Sequence, residues 1–129
     1  MAKVVGVGGV FFKSSDPKGL ASWYQEHLGV PIDASFGGAA FMAHGIPKGG
    51  YTIWSPFKAD TTYFEPSKQP FMINLMVDDL DGALAQVKAA GAELHGEPES
   101  SEFGKFGWFS DPDGNKVELW QPPEAPYAG

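Results

Sequence analysis

The apolar positions of the chain fall into two matching series. Gly9-Val10-Phe11-Phe12-Lys13-Ser14-Ser15-Asp16 and Met72-Ile73-Asn74-Leu75-Met76-Val77-Asp78-Asp79 are both extended apolar segments ending in aspartate, and a helical pattern follows each. In the first series Asp16 suits an N-cap, because its side-chain oxygen can accept from an orphan backbone N–H. Pro17 suits the first helical position, where its missing N–H costs nothing. Leu20, Trp23, Tyr24 and Leu28 then recur at helical spacing and share one face, and Gly29 ends the helix. In the second series Asp79 caps, Leu80, Ala83, Leu84 and Val87 form the face, and Gly91 stops it. The series match again at their ends, where Tyr51-Thr52-Ile53-Trp54-Ser55-Pro56 parallels Val117-Glu118-Leu119-Trp120-Gln121-Pro122 at a constant offset.

Between helix and final strand each copy has room for two more strands. They are predicted at 32–36 and 39–44 around Gly37-Gly38, and at 93–96 and 105–110. Asp111-Pro112-Asp113-Gly114 then makes a turn, with proline and glycine at the positions where fixed and permissive φ are useful. The order is β-α-β-β-β twice. This predicts a first module over 3–56, a connector over 57–70, a second module over 71–122 and a tail over 123–129. The connector is polar and turn-rich, but Tyr63 and Phe64 predict that it packs onto something.

Strand parity divides the side chains into two faces. Val10, Phe12, Ile53, Ile73, Leu75, Val77, Val117 and Leu119 share one parity and are almost wholly aliphatic, as a face covered by helices should be. The other parity holds Gly9, Phe11, Thr52, Trp54, Met72, Asn74, Met76, Glu118 and Trp120. Large rings, flexible thioethers and a few polar groups are the composition of a small-molecule pocket. Phe11, Thr52, Trp54, Met72, Asn74, Met76, Glu118 and Trp120 are therefore the candidate ligand-binding residues. Trp108 joins them from the aromatic strand at 105–110, where a bulge before the turn would exchange it for Phe109. A buried amide needs partners, so Asn74 predicts either a ligand contact or a neighbouring backbone group. Glu118, flanked by rings, is the candidate general base, since desolvation would favour its protonated form. Lys116, on the same face, is the group that could instead pair with it.

Composition narrows the chemistry. The chain has no cysteine, which removes disulfides, thiolate zinc sites and a cysteine nucleophile together. Its net charge of −7 disfavours nucleic acid and mildly favours a cationic ligand. No apolar run reaches the ~18 residues that a membrane helix needs, and the N-terminal residues lack a signal-peptide pattern, so a cytoplasmic location is expected. His27 falls in the last helical turn, where a positive ring suits the helix dipole. His44 and His95 stand near strand ends at unrelated spacings. Gly6-Val7-Gly8-Gly9 lacks the third glycine of a dinucleotide fingerprint.

Trp23-Tyr24-Gln25-Glu26-His27-Leu28-Gly29, Val77-Asp78-Asp79-Leu80 and Asp111-Pro112-Asp113-Gly114-Asn115-Lys116-Val117-Glu118-Leu119 are motifs in which the chain resembles the glyoxalase/bleomycin-resistance/dioxygenase group, the vicinal oxygen chelate superfamily. The resemblance implies an α+β fold of tandem βαβββ modules forming an open, cup-shaped mixed sheet, with helices on the outer face. It also implies a homodimer and a ligand in the cup. Metal-dependent members resemble one another in four ligand positions, which fall here on Gly9, Thr52, Met72 and Glu118. Only Glu118 is a usual ligand for a hard or borderline cation, so no metal and no cofactor is expected. The expected function is therefore metal-independent binding of a small organic molecule, of the drug- or toxin-sequestering kind. The alternatives are a glyoxalase-like lyase or isomerase using Glu118 as base, and a metal site completed by ligands from strand ends or a partner chain.

Overall fold

The computed structural model describes residues 1–124. Helix α1 (Pro17–Leu28) begins as the sequence predicts: Asp16 Oδ1 accepts from Gly19 N at 3.1 Å, and Gly29 takes the left-handed conformation at φ +63°. Two short strands follow, β1 (Ile32–Asp33) and β2 (Gly38–Ala39), and then a 3₁₀ turn at Ala43–Gly45. Strand β3 (Ile73–Met76) leads into helix α2 (Leu80–Ala89), capped by Asp79, whose Oδ1 accepts from Gly82 N at 3.1 Å. Strands β4 (Glu99–Ser101), β5 (Gly104–Ser110) and β6 (Lys116–Gln121) complete the second half.

The main sheet is mixed, in the order β3-β6-β5-β4. β3 runs parallel to β6, while β6 with β5 and β5 with β4 are antiparallel. Phe109, Val117 and Leu119 turn one face of this sheet toward α2, where Leu80, Ala83, Leu84 and Val87 meet them in the buried core. Gly107 makes the close approach possible, since a Cβ there would stand 2.7 Å from a Leu84 methyl. Helix α1 lies on the same body. Trp23 stacks on Phe109 with ring centroids 5.9 Å apart, and Gln86 Nε2 donates to the His27 carbonyl at 2.9 Å.

The turn at 111–114 fastens this helix layer to the sheet. Buried Asp111 accepts from Asp113 N and Asn115 N on Oδ1, and from Asn115 Nδ2 and the Tyr24 hydroxyl on Oδ2. Four donors satisfy a carboxylate withdrawn from water, whose charge would otherwise be costly to bury. Burial, followed by the Asp111 charge and the hydrogen bond to it, pushes the Tyr24 phenol far above its ordinary value.

The fold is α+β with a curled mixed sheet, but the two halves are not equally built. The predicted strands at 9–16 and 51–56 are not strands among the described residues, and the pair predicted at 32–36 and 39–44 shrinks to the two-residue ladder of β1 and β2. Val10, Phe12 and Ile53, expected beneath helices, are exposed. A strand exists only through its partners, and the apolar pattern alone supplied none. In the second half, 93–96 contributes a single bridge, Leu94 to Phe109, and the strand opposite the start of β5 is instead β4.

Candidate functional site

Register across the sheet brings the second-half candidates into rows on the face away from the helices. Asn74 on β3 stands beside Glu118 on β6, which stands beside Trp108 on β5. His95 N donates to the Trp108 carbonyl at 2.9 Å and extends the row by one residue. Met76, Trp120, Phe106 and Glu99 form the next row. No bulge intervenes in β5, so Trp108 faces the cup and Phe109 the core. The first row is polar and the second nearly apolar, which gives the surface an orienting side and a stacking side.

Glu118 is the centre of the polar row. Its Oε1 accepts from Asn74 Nδ2 at 2.7 Å, and its Oε2 accepts from Trp108 Nε1 at 2.8 Å and from the Tyr63 hydroxyl at 2.5 Å. A carboxylate has about four acceptor sites, so three are filled and one on Oε1 is left. Asn74 is exposed rather than buried, and its partner is this carboxylate rather than a backbone group. Lys116 does not pair with Glu118. Its ammonium donates to the Tyr63 carbonyl at 2.6 Å and lies 5.1 Å from the centre of the Tyr63 ring.

Tyr63 comes from the connector, which does pack onto the sheet as Tyr63 and Phe64 predicted. Its ring meets Trp108 edge-on at 6.4 Å and stacks on Phe57 at 5.8 Å. Desolvation first, then the Glu118 hydrogen bond and charge, raise the Tyr63 phenol above its ordinary value, so it stays a donor. Over the second row, Tyr51 meets Trp120 edge-on at 4.8 Å and Phe106 stacks on the same indole at 6.2 Å. The Trp120 Nε1–H donates to the Phe103 carbonyl at 2.7 Å. Gly104, at φ +111°, lets the chain pass there, because a Cβ would fall 2.3 Å from the Gln121 carbonyl oxygen. Tyr51 and Tyr63 thus roof the rings that line the cup. An open cavity of about 440 Å³ lies instead beside the helices, lined by Leu28, Met76, Val77, Asp78, Asp79, Ala83 and Gln86.

Of the candidates read from sequence, Asn74, Met76, Trp108, Glu118 and Trp120 share one face, and half-buried Met72 directly precedes β3. Phe11, Thr52 and Trp54 are exposed on the first-half segments and are not gathered into the row. Tyr63 and His95 are the residues that sequence reasoning left out of the site. The connector's aromatic pair was a signal for Tyr63, and the alternation Glu93-Leu94-His95 was one for His95.

The metal-ligand positions implied by the family resemblance do not fit a metal. Gly9 has no side chain, Thr52 is exposed, and Glu118 is held by three donors that a cation would have to displace. Among the described residues no three His, Cys, Asp or Glu side chains converge.

No curated protein matches the chain. Among solved structures, the antibiotic-binding protein TnmS3 from Streptomyces sp. CB03234 is 26% identical over 85% of this chain and 88% of its own, with a TM-score of 0.50. A glyoxalase/bleomycin resistance protein/dioxygenase superfamily member from Sphaerobacter thermophilus DSM 20745 is 23% identical over 92% of this chain and 98% of its own, with a TM-score of 0.53, a likeness of fold. A glyoxalase/bleomycin resistance protein, also from Streptomyces sp. CB03234, is 37% identical over 38% of this chain and 42% of its own, with a TM-score of 0.34. The glyoxalase-like domain family model matches residues 9–120, and the chain therefore belongs to that family.

Proposed function

We propose that the chain binds a flat aromatic small molecule on the Glu118 row, holding it as a drug- or toxin-sequestering protein does, without a metal. The observation that carries this reading is the seat of Tyr63: an aromatic ring against Trp108, with its O–H donated to Glu118. A phenol of the protein itself occupies the geometry that a phenolic ligand needs. A ligand bearing a ring and an O–H or N–H donor can replace it, taking both the edge of Trp108 and the Glu118 carboxylate. A cationic donor gains further from the charge of −7. Likeness to an antibiotic-binding protein over most of both chains supports a small-molecule-holding role. Three N–H or O–H donors stabilise the ionised Glu118 carboxylate and leave one acceptor site on Oε1, which favours holding a ligand's donor over removing a substrate proton.

The chain is also a homodimer in this reading. Phe11, Ile53 and Trp54 are exposed apolar side chains on segments whose repeat mates are paired strands, and such a concentration of exposed rings marks a contact surface.

Titration of tryptophan fluorescence with phenolic, cationic-aromatic and ketoacid compounds tests the binding. Saturable quenching by the aromatic classes, with the ligand recovered unchanged, is the expected result. No response from any class overturns the reading. Consumption of a ligand that stops in Glu118→Gln, with binding retained, replaces it with the lyase or isomerase alternative.

A further inference from the structure

At the edge of the Glu118 row, His95 also belongs to a set of side chains on the same sheet face that has the geometry of a nucleophile with its base. Ser110 at the end of β5 and His95 on the neighbouring bridge segment are joined by a contact of 2.6 Å between Ser110 Oγ and His95 Nε2. The other ring nitrogen, Nδ1, faces Glu93 Oε1 at 3.9 Å, an electrostatic partner rather than a direct hydrogen bond. Backbone pairing fixes all three. Ser110 N donates to the Glu93 carbonyl and His95 N to the Trp108 carbonyl, each at 2.9 Å, while Leu94 turns to the core side. Glu93 and His95 consequently share a face with Ser110. On the other side of β5, Lys116 is the direct cross-strand neighbour of Ser110. Its ammonium is turned to the Tyr63 carbonyl at 2.6 Å and so stands outside this set.

We infer that Ser110 is an acyl-accepting nucleophile, with His95 as its general base and Glu93 orienting the ring, and that its substrates are small activated esters. In the step, Ser110 Oγ bonds to the acyl carbon as its proton passes to His95 Nε2. The ester C–O bond breaks, and the leaving oxygen takes the proton from His95. Water then releases the acyl group by the reverse proton path, so no oxidant, reductant or metal is required. Glu93 carries the positioning role, since a carboxylate facing Nδ1 favours the tautomer whose Nε2 can accept the serine proton. His95 borders both sites, but the step uses neither the Glu118 carboxylate nor the Tyr63 hydroxyl, so labelling at Ser110 and ligand holding at Glu118 are read by separate experiments.

The test is covalent labelling. The purified chain is incubated with p-nitrophenyl acetate and, separately, with a fluorophosphonate probe, and the modified residue is located by peptide mass mapping. Expected are one acetyl or phosphonyl group on Ser110, release of one equivalent of p-nitrophenolate in the first turnover, and no label in Ser110→Ala. His95→Ala should slow labelling by about 100-fold or more, the lower end of what a missing general base costs, and added imidazole should restore part of the rate. Circular dichroism of both variants confirms that they are folded, and His95→Gln provides a variant of closer size. Absence of label at Ser110 in the folded wild-type chain overturns the inference. Labelling at Ser110 that is indifferent to both His95 substitutions also overturns it.

Discussion

Trp54 and Trp120 stand at matching positions of the two apolar series in the sequence and meet opposite fates. Trp120 is 4% exposed, packed by Tyr51 and Phe106 and bonded to the Phe103 carbonyl; Trp54 is 79% exposed. The same holds one residue earlier, where Leu119 is fully buried and Ile53 is 68% exposed. The helices do not differ in this way. α1 is docked beside α2 through Trp23, Tyr24 and Gln86, so the first half contributes its helix to the shared core but not its flanking strands. The lesson concerns the source of order. A helix closes its own hydrogen bonds and needs one apolar face to dock, whereas a strand needs a neighbour. β3 and β6 have each other, whereas the segments at 9–16 and 51–56 form no strand among the described residues.

The largest expected effect breaks this comparison outright if the halves are in fact alike. Leu119→Ala empties a core position and should cost about 2–5 kcal/mol of unfolding free energy. Ile53→Ala should change monomer stability by no more than about 0.5 kcal/mol, the range of surface substitutions. Thermal or urea unfolding at low protein concentration measures both. In the proposed homodimer the Ile53 substitution instead weakens dimerisation, which sedimentation at a series of concentrations reads directly. Equal destabilisation of the monomer by the two substitutions would show that the first-half strand is docked within its own chain.

A smaller effect sharpens the place where the halves join. Tyr24→Phe removes one donor from buried Asp111 and should destabilise by about 1–3 kcal/mol, as hydrogen bonds to charged groups do. The phenol's folded value lies above its unfolded value of about 10, so the folded state keeps a proton that the unfolded state has lost. This contribution is fully present below pH ~10 and is lost as pH rises above it. Urea unfolding from neutral to strongly alkaline pH should therefore show a steeper loss of stability in wild type than in Tyr24→Phe.

Much of the second half was legible in the sequence, and for local reasons. Asp16 and Asp79 cap because an aspartate before a helical stripe has N–H donors within three residues. Leu80, Ala83, Leu84 and Val87 are buried because their spacing leaves them one face. Alternation placed Trp108, Glu118 and Trp120 together once the register held without a bulge. The partners of Glu118 were harder to read. Its bond to Tyr63 spans 55 residues, and its bond to Asn74 spans 44 residues across a parallel pair. Lys116 was expected beside Glu118 because the two share a face, yet the connector carbonyl of Tyr63 offers it a closer seat. His95 escaped for a similar reason: its contacts cross strands, and sequence spacing to other histidines says nothing about a serine on the next strand.

The Tyr63 seat is also the smallest change with the most direct reading. Titration calorimetry of one phenolic or cationic-aromatic ligand against wild type, Tyr63→Phe and Glu118→Gln asks whether the protein's own phenol competes for the carboxylate. Removing the Tyr63 hydroxyl forfeits a partly solvated hydrogen bond of about 1 kcal/mol and should tighten ligand binding about fivefold. Glu118→Gln should weaken it, because the ligand's donor then meets a neutral amide. Affinity unchanged in both variants, or binding weakened in Tyr63→Phe, would contradict a ligand seated at Glu118 in place of Tyr63.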